Sequence, residues 1–402
     1  MAIGDSGQPV VVFGAGRAGW YIMKVLDAYG VPIAAFCDND PNKQTSYGSY
    51  PVRSPQDIAQ EFADARVLLG VFRPDSAATI QMQLENLNFT SVHFDMDAFL
   101  YTFFVKVAGR KCDGNILARS IYILFLNYQE DATHYGSTKD NFFVSPFVTS
   151  VITQKCSLRC RDCAQLIPYY EKPVSFSVES VVEDIRRYAK AFDVVPEISL
   201  HGGEPFLYPD LQRLCREVAA IPNIIFISFI TNGTILPSDK TLRQLSACGA
   251  DVHQSGGYGA LSRHQDALIE AFRRHSIYSD ILYCSTTEMW TQAPPYVRHS
   301  RSAVDNDEIY RRCMSSNVCC QIMNGELHRC PLSMHGMHQG LFPKDEKDFV
   351  LLRQEDGNAD LIAESIRNFI CRNTALTVCD YCSPEGGTLV APAIQLPAAS
   401  VE

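Results

Sequence analysis

The sequence predicts an α/β protein built on parallel sheets, and three observations support this prediction. Short apolar runs alternate with helix-period segments from residue 9 to about residue 95, and the alternation returns between about residues 146 and 290. Beyond it, seven of the 15 cysteines fall between residues 313 and 382. Strands that alternate with helices are typical of parallel sheets with crossover helices. We expect an N-terminal domain over residues 1–96, a helical linker over 97–145, a second α/β domain over 146–295, a cysteine-rich domain over 296–390 and a mobile tail over 391–402.

The composition is that of a globular protein, since 46% of the 402 residues are apolar and 20% are charged. A net charge of −10 argues against nucleic acid or an anionic membrane as a partner, because both attract basic surfaces. No apolar run approaches the roughly 20 residues of a membrane helix, and no signal-peptide pattern opens the chain. We therefore expect a cytoplasmic protein with a small-molecule or protein substrate, whose cysteines serve metal or redox chemistry.

The N-terminal domain begins with a strand that runs into a glycine-rich turn. Residues 9–19 read PVVVFGAGRAG, with Gly14, Gly16 and Gly19 in a GxGxxG pattern, and Asp38 lies 22 residues after Gly16. In dinucleotide-binding units with this pattern, the pyrophosphate lies at the helix start and an acidic residue lies near the ribose. With CDNDPNKQTSYGSYPVRSP, the region resembles the Rossmann-like module of polysaccharide and sugar-nucleotide enzymes, which implies a nucleotide or nucleotide-sugar ligand. The alternative is a scaffold that only docks or dimerises.

The second α/β domain is predicted from five strand-like runs and four helix-period segments. The strands are expected near Phe147–Thr153, Val195–Leu200, Ile224–Thr231, Asp251–Gln254 and Ile277–Tyr283. The helices are expected near Val178–Ala191, Pro209–Ala219, Ser238–Ala247 and Ser262–His275.

Three thiols crowd into the loop after the first of these strands. The segment KCSLRCRDCAQ places Cys156, Cys160 and Cys163 in a CxxxCxxC pattern, which brings three thiolates to one centre and leaves a fourth ligand position open. An open iron lets a small molecule bind directly to the metal. The alternatives are a zinc site with a distant fourth ligand, and chance clustering.

Two further motifs, ISLHGGEPFLYPDL and ISFITNGT, follow the cysteines, and the three in this order resemble the radical S-adenosylmethionine (SAM) superfamily. The resemblance spans about residues 146–290 and implies a partial (β/α)6 barrel. It also implies that the three cysteines hold a [4Fe-4S] cluster whose fourth iron binds SAM, with electrons from a flavodoxin- or ferredoxin-type donor. Reductive cleavage of SAM would give a 5′-deoxyadenosyl radical that takes a hydrogen atom from the substrate.

The same resemblance implies SAM-binding residues near the ends of the strands, namely Gly202, Gly203, Glu204, Ser228, Asn232 and Ser255. Glu204 is expected to hold the cationic ammonium group of SAM through a charge-assisted hydrogen bond. An ordinary turn or cap role is the alternative for Ser228, Asn232 and Ser255. We interpret His201 as a packing residue.

The C-terminal cysteines form a second pattern, CMSSNVCCQIMNGELHRCPL and then VCDYCS. Eleven residues separate Cys313 from Gly325, and four separate Gly325 from Cys330. This spacing resembles the auxiliary-cluster domains called SPASM and Twitch, which implies one auxiliary [4Fe-4S] cluster on Cys313, Cys330, Cys379 and Cys382. The NG dipeptide between two apolar runs predicts a tight hairpin turn. A four-cysteine zinc ribbon is the alternative.

A second cluster suits the oxidation of an alcohol, which removes two electrons, because a radical takes only one of them as a hydrogen atom. The sequence therefore favours a radical SAM oxidoreductase that dehydrogenates a sugar, cyclitol or nucleotide-sugar. The alternatives are an epimerase with Cys284 as hydrogen donor, a peptide- or protein-modifying SPASM enzyme and, outside catalysis, an Fe-S redox sensor. Candidates for the general base are Tyr296, Arg298, His299 and Arg301.

Overall fold

A computed structural model of the chain describes residues 8–16, 19–20, 22–23, 26, 32–43, 46–47, 49–71, 74–89, 145–192, 195–282, 289–293, 296–313, 319–353, 358–382 and 387–397. The chain divides into two compact units, Met1–His134 and Tyr135–Glu402. Two predicted features lie outside the described residues: the linker over 97–145 except its last residue, and Cys284.

In its described residues, the first unit contains a five-stranded sheet and two α-helices that each span seven residues or more. Its strands are β1 (Val10–Phe13), β2 (Ile33–Cys37), β3 (Ser46–Tyr47), β4 (Tyr50–Arg53) and β5 (Arg66–Leu69). Their order is β3-β4-β2-β1-β5, and β1 is parallel to both of its neighbours. Its helices are α1 (Pro55–Glu61), which begins at a capping box between Ser54 and Asp57, and α2 (Pro74–Asn86).

The second unit is built on a parallel sheet with helices between its strands. The strands are β6 (Phe147–Thr153), β7 (Val195–Gly202), β8 (Ile224–Thr231), β9 (Asp251–Ser255) and β10 (Ser279–Leu282), which are neighbours in that order. The helices are α3 (Val178–Ala189), α4 (Leu211–Ala219), α5 (Asp239–Ala247) and α6 (Gln265–Arg274). The strands and helices predicted for this region are confirmed, with ends that differ by up to three residues. A sixth strand of the expected (β/α)6 arrangement is not among the described residues.

Side chains alternate between the two faces of this sheet, because successive residues of a strand point to opposite sides. Ile198 and Leu200 of β7 belong to the large apolar cluster that includes the buried faces of the helices. Glu197, Ser199 and His201 of the same strand therefore point to the opposite face, which we call the inner face.

The cysteine-rich region continues the same sheet rather than forming a separate one. It contains β12 (Cys319–Met323), β13 (Glu326–His328), β14 (Phe349–Leu351), α7 (Ala303–Arg312), α8 (Pro331–His338) and α9 (Ala359–Ile370). Strand β12 pairs in parallel with β6, and β13 and β14 follow it in antiparallel order. The predicted boundary between residues 295 and 296 therefore does not separate two sheets. The predicted hairpin turn is confirmed, because Asn324 and Gly325 have φ of 48° and 84°, as a two-residue turn of this type requires.

The first part of the tail that is predicted to be mobile, residues 391–397, lies among the described residues, and its mobility stays a prediction. Strand β15 (Leu389–Val390) pairs with β11 (Trp290–Thr291), and the residues that follow bond to the cysteine loop. Within the described part of the chain, no helix is long and apolar enough to cross a membrane.

Candidate functional site

The two glycines at the end of β7 let this strand approach the start of the cysteine loop. Gly202 has a φ of +144°, and a Cβ built on it would lie 2.0 Å from the carbonyl oxygen of Thr153. A Cβ on Gly203 would lie 2.0 Å from the carbonyl oxygen of Lys155. The N–H groups of Gly203 and Glu204 donate to these two carbonyls at 2.8 Å. Any side chain here would push β7 away from the cysteines, so the approach requires both glycines.

The Glu204 carboxylate is fully buried and joins β7 to the turn after β8. It accepts hydrogen bonds from the Thr231 hydroxyl at 2.8 Å, the Asn232 N–H at 2.9 Å and the Phe206 N–H at 3.2 Å. Burial raises the pKa of Glu204 to about 7, although these donors lower it in part. The carboxylate thus organises the chain itself, and its contact with SAM stays a prediction.

The Asn232 side chain connects the turn after β8 to the cysteine loop. Its amide nitrogen donates to Cys156 Sγ at 3.5 Å and to Ser157 Oγ at 3.2 Å, and its oxygen accepts from the Thr234 N–H at 3.0 Å. The hydroxyls of Ser157 and Thr234 also form a hydrogen bond. These contacts bring the predicted Asn232 and the first cysteine together. Ser157 and Thr234 were missed, because a serine after a cysteine and a threonine after a glycine carry no distinctive signal.

The three thiols of the cysteine loop form no disulfide, and Cys160 is buried whereas Cys156 and Cys163 are half-buried. Burial raises the pKa of Cys156 to about 12 and that of Cys160 to about 11, and burial also raises the pKa of Cys163. The Leu158 N–H donates to Cys156 Sγ at 3.4 Å, and the Gln395 amide donates to Cys160 Sγ at 3.1 Å. A bound metal cation would be needed to deprotonate thiols in such surroundings, which suits a metal centre better than a free nucleophile.

Ser228 lies near the end of β8, as the sequence predicts, three residues before Thr231 ends the strand. It lies opposite Ser199 of β7, and its buried hydroxyl donates to Glu197 at 2.6 Å. Its contact with SAM stays a prediction. Ser255 does end β9, as predicted, and is half-buried.

The inner face of the sheet carries a connected set of polar side chains. The Gln321 amide nitrogen contacts His201 Nε2 at 3.3 Å and donates to Gln165 at 3.1 Å. Gln165 also contacts His335, whose Nδ1 lies 2.8 Å from the Tyr170 hydroxyl. Burial lowers the pKa of His201 to about 4, so the imidazole is neutral near pH 7. His201 thus belongs to a polar network, in contrast to the packing role that the sequence predicts.

The second set of cysteines comes from three separate places in the chain. Cys313 follows α7, Cys330 precedes α8 at the end of the hairpin, and Cys379 and Cys382 flank a short turn. Burial raises the pKa of the Cys330 thiol, and the other three thiols raise it further, as expected for a gathered set. Cys320 instead packs in the apolar core.

Two of the general-base candidates hold the second cysteine set in place. The Arg298 guanidinium donates to Asp380 at 3.0 Å, and Arg301 donates to the carbonyls of Cys379 and Cys382 at 3.1 Å each. Arginine therefore fixes this turn, and the prediction of Arg298 and Arg301 as bases is corrected.

Tyr296 is also unsuited to act as a base, because its phenol stays protonated near neutral pH. Burial raises the pKa of Tyr296, and Cys330, Cys382 and Cys163 add to the rise. Its ring packs against Phe342 with ring centroids 5.3 Å apart. For His299, the structure gives a backbone bond from its N–H to the Asp380 carbonyl at 2.9 Å.

Three other potential metal ligands lie close together in the second unit. Among the described residues, candidate ligand atoms of Glu326, His328 and His338 all lie within 4.8 Å of one another. Lys344 also contacts Glu326 at 2.5 Å, so this group forms an ion-pair network.

In the first unit, two of the three predicted glycines are needed for packing. A Cβ on Gly14 would lie 2.4 Å from the Gly70 carbonyl oxygen, and one on Gly19 would lie 2.0 Å from the Gly14 carbonyl oxygen. Gly16 faces open space. The Asp38 carboxylate accepts a hydrogen bond from the Ala15 N–H at 2.8 Å, which brings it to the glycine turn as predicted. A nucleotide at this turn stays a prediction.

Comparison with known proteins assigns the central segment. Residues 150–274 match the family model of the radical SAM superfamily, so this segment is a radical SAM domain. A GTP 3′,8-cyclase of Stenotrophomonas maltophilia (strain K279a) is 34% identical over 95 residues, which is 23% of this chain and 28% of that protein. A pre-heme d1 synthase of Dinoroseobacter shibae is 25% identical over 167 residues, which is 38% of this chain and 40% of that protein.

The chain thus spans well under half the length of the curated relatives it matches. Among solved structures, the crystal structure of BtrN in complex with AdoMet and 2-DOIA resembles this chain with a TM-score of 0.36 at 15% identity. That similarity covers 57% of this chain and 84% of the other. A TM-score this low supports no conclusion about this chain.

Proposed function

We propose that the protein is a radical SAM enzyme in which Cys156, Cys160 and Cys163 hold a [4Fe-4S] cluster. The observation that carries the proposal is the junction of three motifs: Gly203 lies against the backbone that leads into the cysteine loop, and Asn232 donates to Cys156. When bound, the cluster supplies the electron that cleaves SAM to methionine and a 5′-deoxyadenosyl radical, which removes hydrogen from the substrate.

The residues of the chain have three tasks in this function. Leu158, Asn232 and Gln395 direct N–H groups at cysteine sulfurs, which stabilises them as thiolates once metal is bound. The contact with Gln395 leaves Cys160 only 6% exposed, which limits the access of water to that sulfur. Gly202, Gly203, Glu204, Asn232 and Ser255 are proposed to bind SAM together with Ser228, which lies deeper on the inner face.

We propose a second [4Fe-4S] cluster on Cys313, Cys330, Cys379 and Cys382, in a domain of the SPASM or Twitch type. When bound, it supplies an acceptor for the second electron of a two-electron oxidation. Arg301 and Asp380 fix the turn that carries two of its ligands. A four-cysteine zinc ribbon is the alternative for this set.

For the reaction, we favour oxidation of an alcohol of a sugar, cyclitol or nucleotide-sugar. The inner face offers amide, imidazole and carboxylate groups, which suit a substrate rich in hydroxyls. The Rossmann-like first unit, if it binds a nucleotide at Gly14, Gly16, Gly19 and Asp38, would favour a nucleotide-sugar. GTP belongs among the substrates tested, because two of the proteins to which this chain is similar are named GTP 3′,8-cyclase.

The enzyme proposal is tested by SAM cleavage in anaerobically reconstituted protein reduced with dithionite or flavodoxin. We expect about eight irons per chain for two cubane clusters, and 5′-deoxyadenosine as a product. Cys160→Ser should abolish 5′-deoxyadenosine, and Cys330→Ser should keep its formation but lose about half of the iron. Cys371→Ser is the matched control, since Cys371 is exposed and belongs to neither set. Full iron loading without SAM cleavage would refute the enzyme and favour a redox sensor.

The reaction is tested by product mass with amino-sugars, cyclitols, nucleotide-sugars and GTP. Oxidation removes two hydrogens from the substrate, whereas epimerisation in deuterated water adds one deuterium. Deuterium incorporation that disappears in Cys284→Ala would replace the dehydrogenase by the epimerase.

A further inference from the structure

We propose that residues 393–396, here called the C-terminal strap, shield the first cluster and raise its reduction potential through a hydrogen bond from Gln395 to Cys160. The inference rests on the proposed function, because it concerns the cluster that Cys160 would hold. It assigns a role to a segment that belongs to none of the sequence motifs.

The strap runs antiparallel to the middle of the cysteine loop. The Arg161 N–H donates to the Ile394 carbonyl at 2.7 Å, and the Leu396 N–H donates to the Arg159 carbonyl at 2.8 Å. These two bonds bracket Cys160 and Gln395, which form the bridge pair. The second cysteine is therefore covered by backbone from the end of the chain, and it is only 6% exposed.

The Gln395 side chain completes this contact. Its amide nitrogen lies 3.1 Å from Cys160 Sγ, and its amide oxygen accepts from the Arg159 N–H at 2.8 Å. Because the oxygen is occupied by a backbone donor, the amide cannot flip without losing both contacts. The nitrogen is thus fixed as a donor to sulfur.

The strap is anchored on its N-terminal side. Strand β15 pairs with β11, and the Gln292 N–H donates to the Thr388 carbonyl at 2.8 Å. Ala393 is buried with a φ of +56°, a left-handed conformation that residues with a side chain rarely adopt. The Gln395 amide donates to the Ala393 carbonyl at 2.7 Å and so holds this turn. Such a conformation persists only where the surrounding structure stabilises it, which indicates that the contact between the strap and the cysteine loop is a fixed part of the fold.

The chemical consequence concerns the charge on sulfur. Reduction adds an electron to the cluster and increases the negative charge on its ligand sulfurs, and N–H donors to sulfur are among the factors that set cluster potentials. A donor at Cys160 therefore stabilises the reduced form more than the oxidised form. Gln395 acts through Cys160 and is a positioning and tuning residue rather than a catalytic one.

The test compares wild-type protein with Gln395→Leu, which removes the donor, and with a chain truncated after Pro392. The redox titration follows the EPR signal that changes when SAM is added, because this signal belongs to the first cluster. We expect Gln395→Leu to lower the ratio of reduced to oxidised cluster about tenfold at a fixed solution potential, which equals about 59 mV for one electron. Truncation should lower the potential similarly and speed the loss of cluster absorbance in air.

Gln212→Leu is the matched control, since Gln212 donates to Thr241 on the surface helices and touches neither cysteine set. An unchanged potential in Gln395→Leu, with iron content equal to wild type, overturns the inference and leaves the proposed function intact. Absence of iron from wild-type protein overturns both.

A second measurement needs no cluster. In metal-free protein the strap should protect Cys160 from iodoacetamide, so truncation should raise the alkylation rate of Cys160 more than that of Cys156 or Cys163. Equal rates before and after truncation would show that the strap does not cover the loop in solution, and would also overturn the inference.

Discussion

Replacing Glu204 by glutamine should remove a specific part of the pH dependence of stability. Burial raises the pKa of this carboxyl to about 7, from an ordinary value of 4.5. Between these two values the folded protein keeps a proton that the unfolded chain has released. Stability from Glu204 is therefore greatest at low pH and is lost as the pH rises through about 7.

The size of this effect follows from the two pKa values. Integrating the proton linkage between about pH 5 and pH 7.5 gives a loss of about 2 kcal/mol in the free energy of unfolding. Glu204→Gln lacks this titration. It also presents an amide N–H to at least one of the three donors at this site, which costs stability by an amount independent of pH.

The assay is urea unfolding of metal-free protein at a series of pH values, with the variant subtracted from the wild type at each pH. The chain has two tryptophans, Trp20 in the first unit and Trp290 in the second, so a Trp20→Phe background reports on the second unit alone. We expect the difference to fall by about 2 kcal/mol between about pH 5 and pH 7.5. A difference that stays constant across this range would refute the raised pKa and the desolvation argument behind it.

Two further substitutions test how the second unit is held together. Asp184→Asn should lower the free energy of unfolding in urea by about 2–4 kcal/mol, because the buried carboxylate accepts two bonds from Arg353 and one from the Gly325 N–H. Glu183→Gln is the control, since Glu183 forms an exposed ion pair and its loss should lower the same free energy by under about 1 kcal/mol. Equal losses in the two variants would contradict the reasoning. Gly203→Ala should lower the free energy of unfolding by about 3 kcal/mol and release the first cluster, because its Cβ would lie 2.0 Å from a carbonyl oxygen. Gly16→Ala is the control and should unfold like wild type, since Gly16 has open space around it. Iron retention in Gly203→Ala would count against the close approach.

The elements of the fold were predictable because their signals are local. The apolar runs at β6 to β10 and the intervening helical periods depend on neighbouring residues only, and the NG dipeptide specifies its own turn. The parallel arrangement of β6 to β10 followed from the helices that alternate with these strands along the chain. The pairing of β12 with β6 did not, since it joins Cys320 to Val148 across a long stretch of chain.

The residues of the candidate site were predictable where they belong to a recognisable sequence motif. Cysteine spacing singled out the two predicted thiol sets, and the resemblance singled out Gly202 and Gly203, although their close backbone approach was not predicted. The motifs did not predict the hydrogen-bond partners of these residues. Glu204 accepts three hydrogen bonds from other residues of the chain, and Ser228 donates to Glu197. Arg301 donates to the Cys379 carbonyl rather than acting as a base. Each of these roles depends on a partner that only the folded chain brings near.

The cysteine loop shows why the unpredicted contacts bear on function. It is held by β7 through Gly203, by the turn after β8 through Asn232, and by the chain's end through Gln395. The first two contacts come from the radical SAM domain, whereas Gln395 lies outside the segment that matches the family. The position of the loop is thus a property of the shared domain, while the hydrogen bond to Cys160 is supplied by this chain's own C-terminal segment. We therefore expect the potential of the proposed cluster to change with residue 395 without any change in the residues proposed to bind SAM.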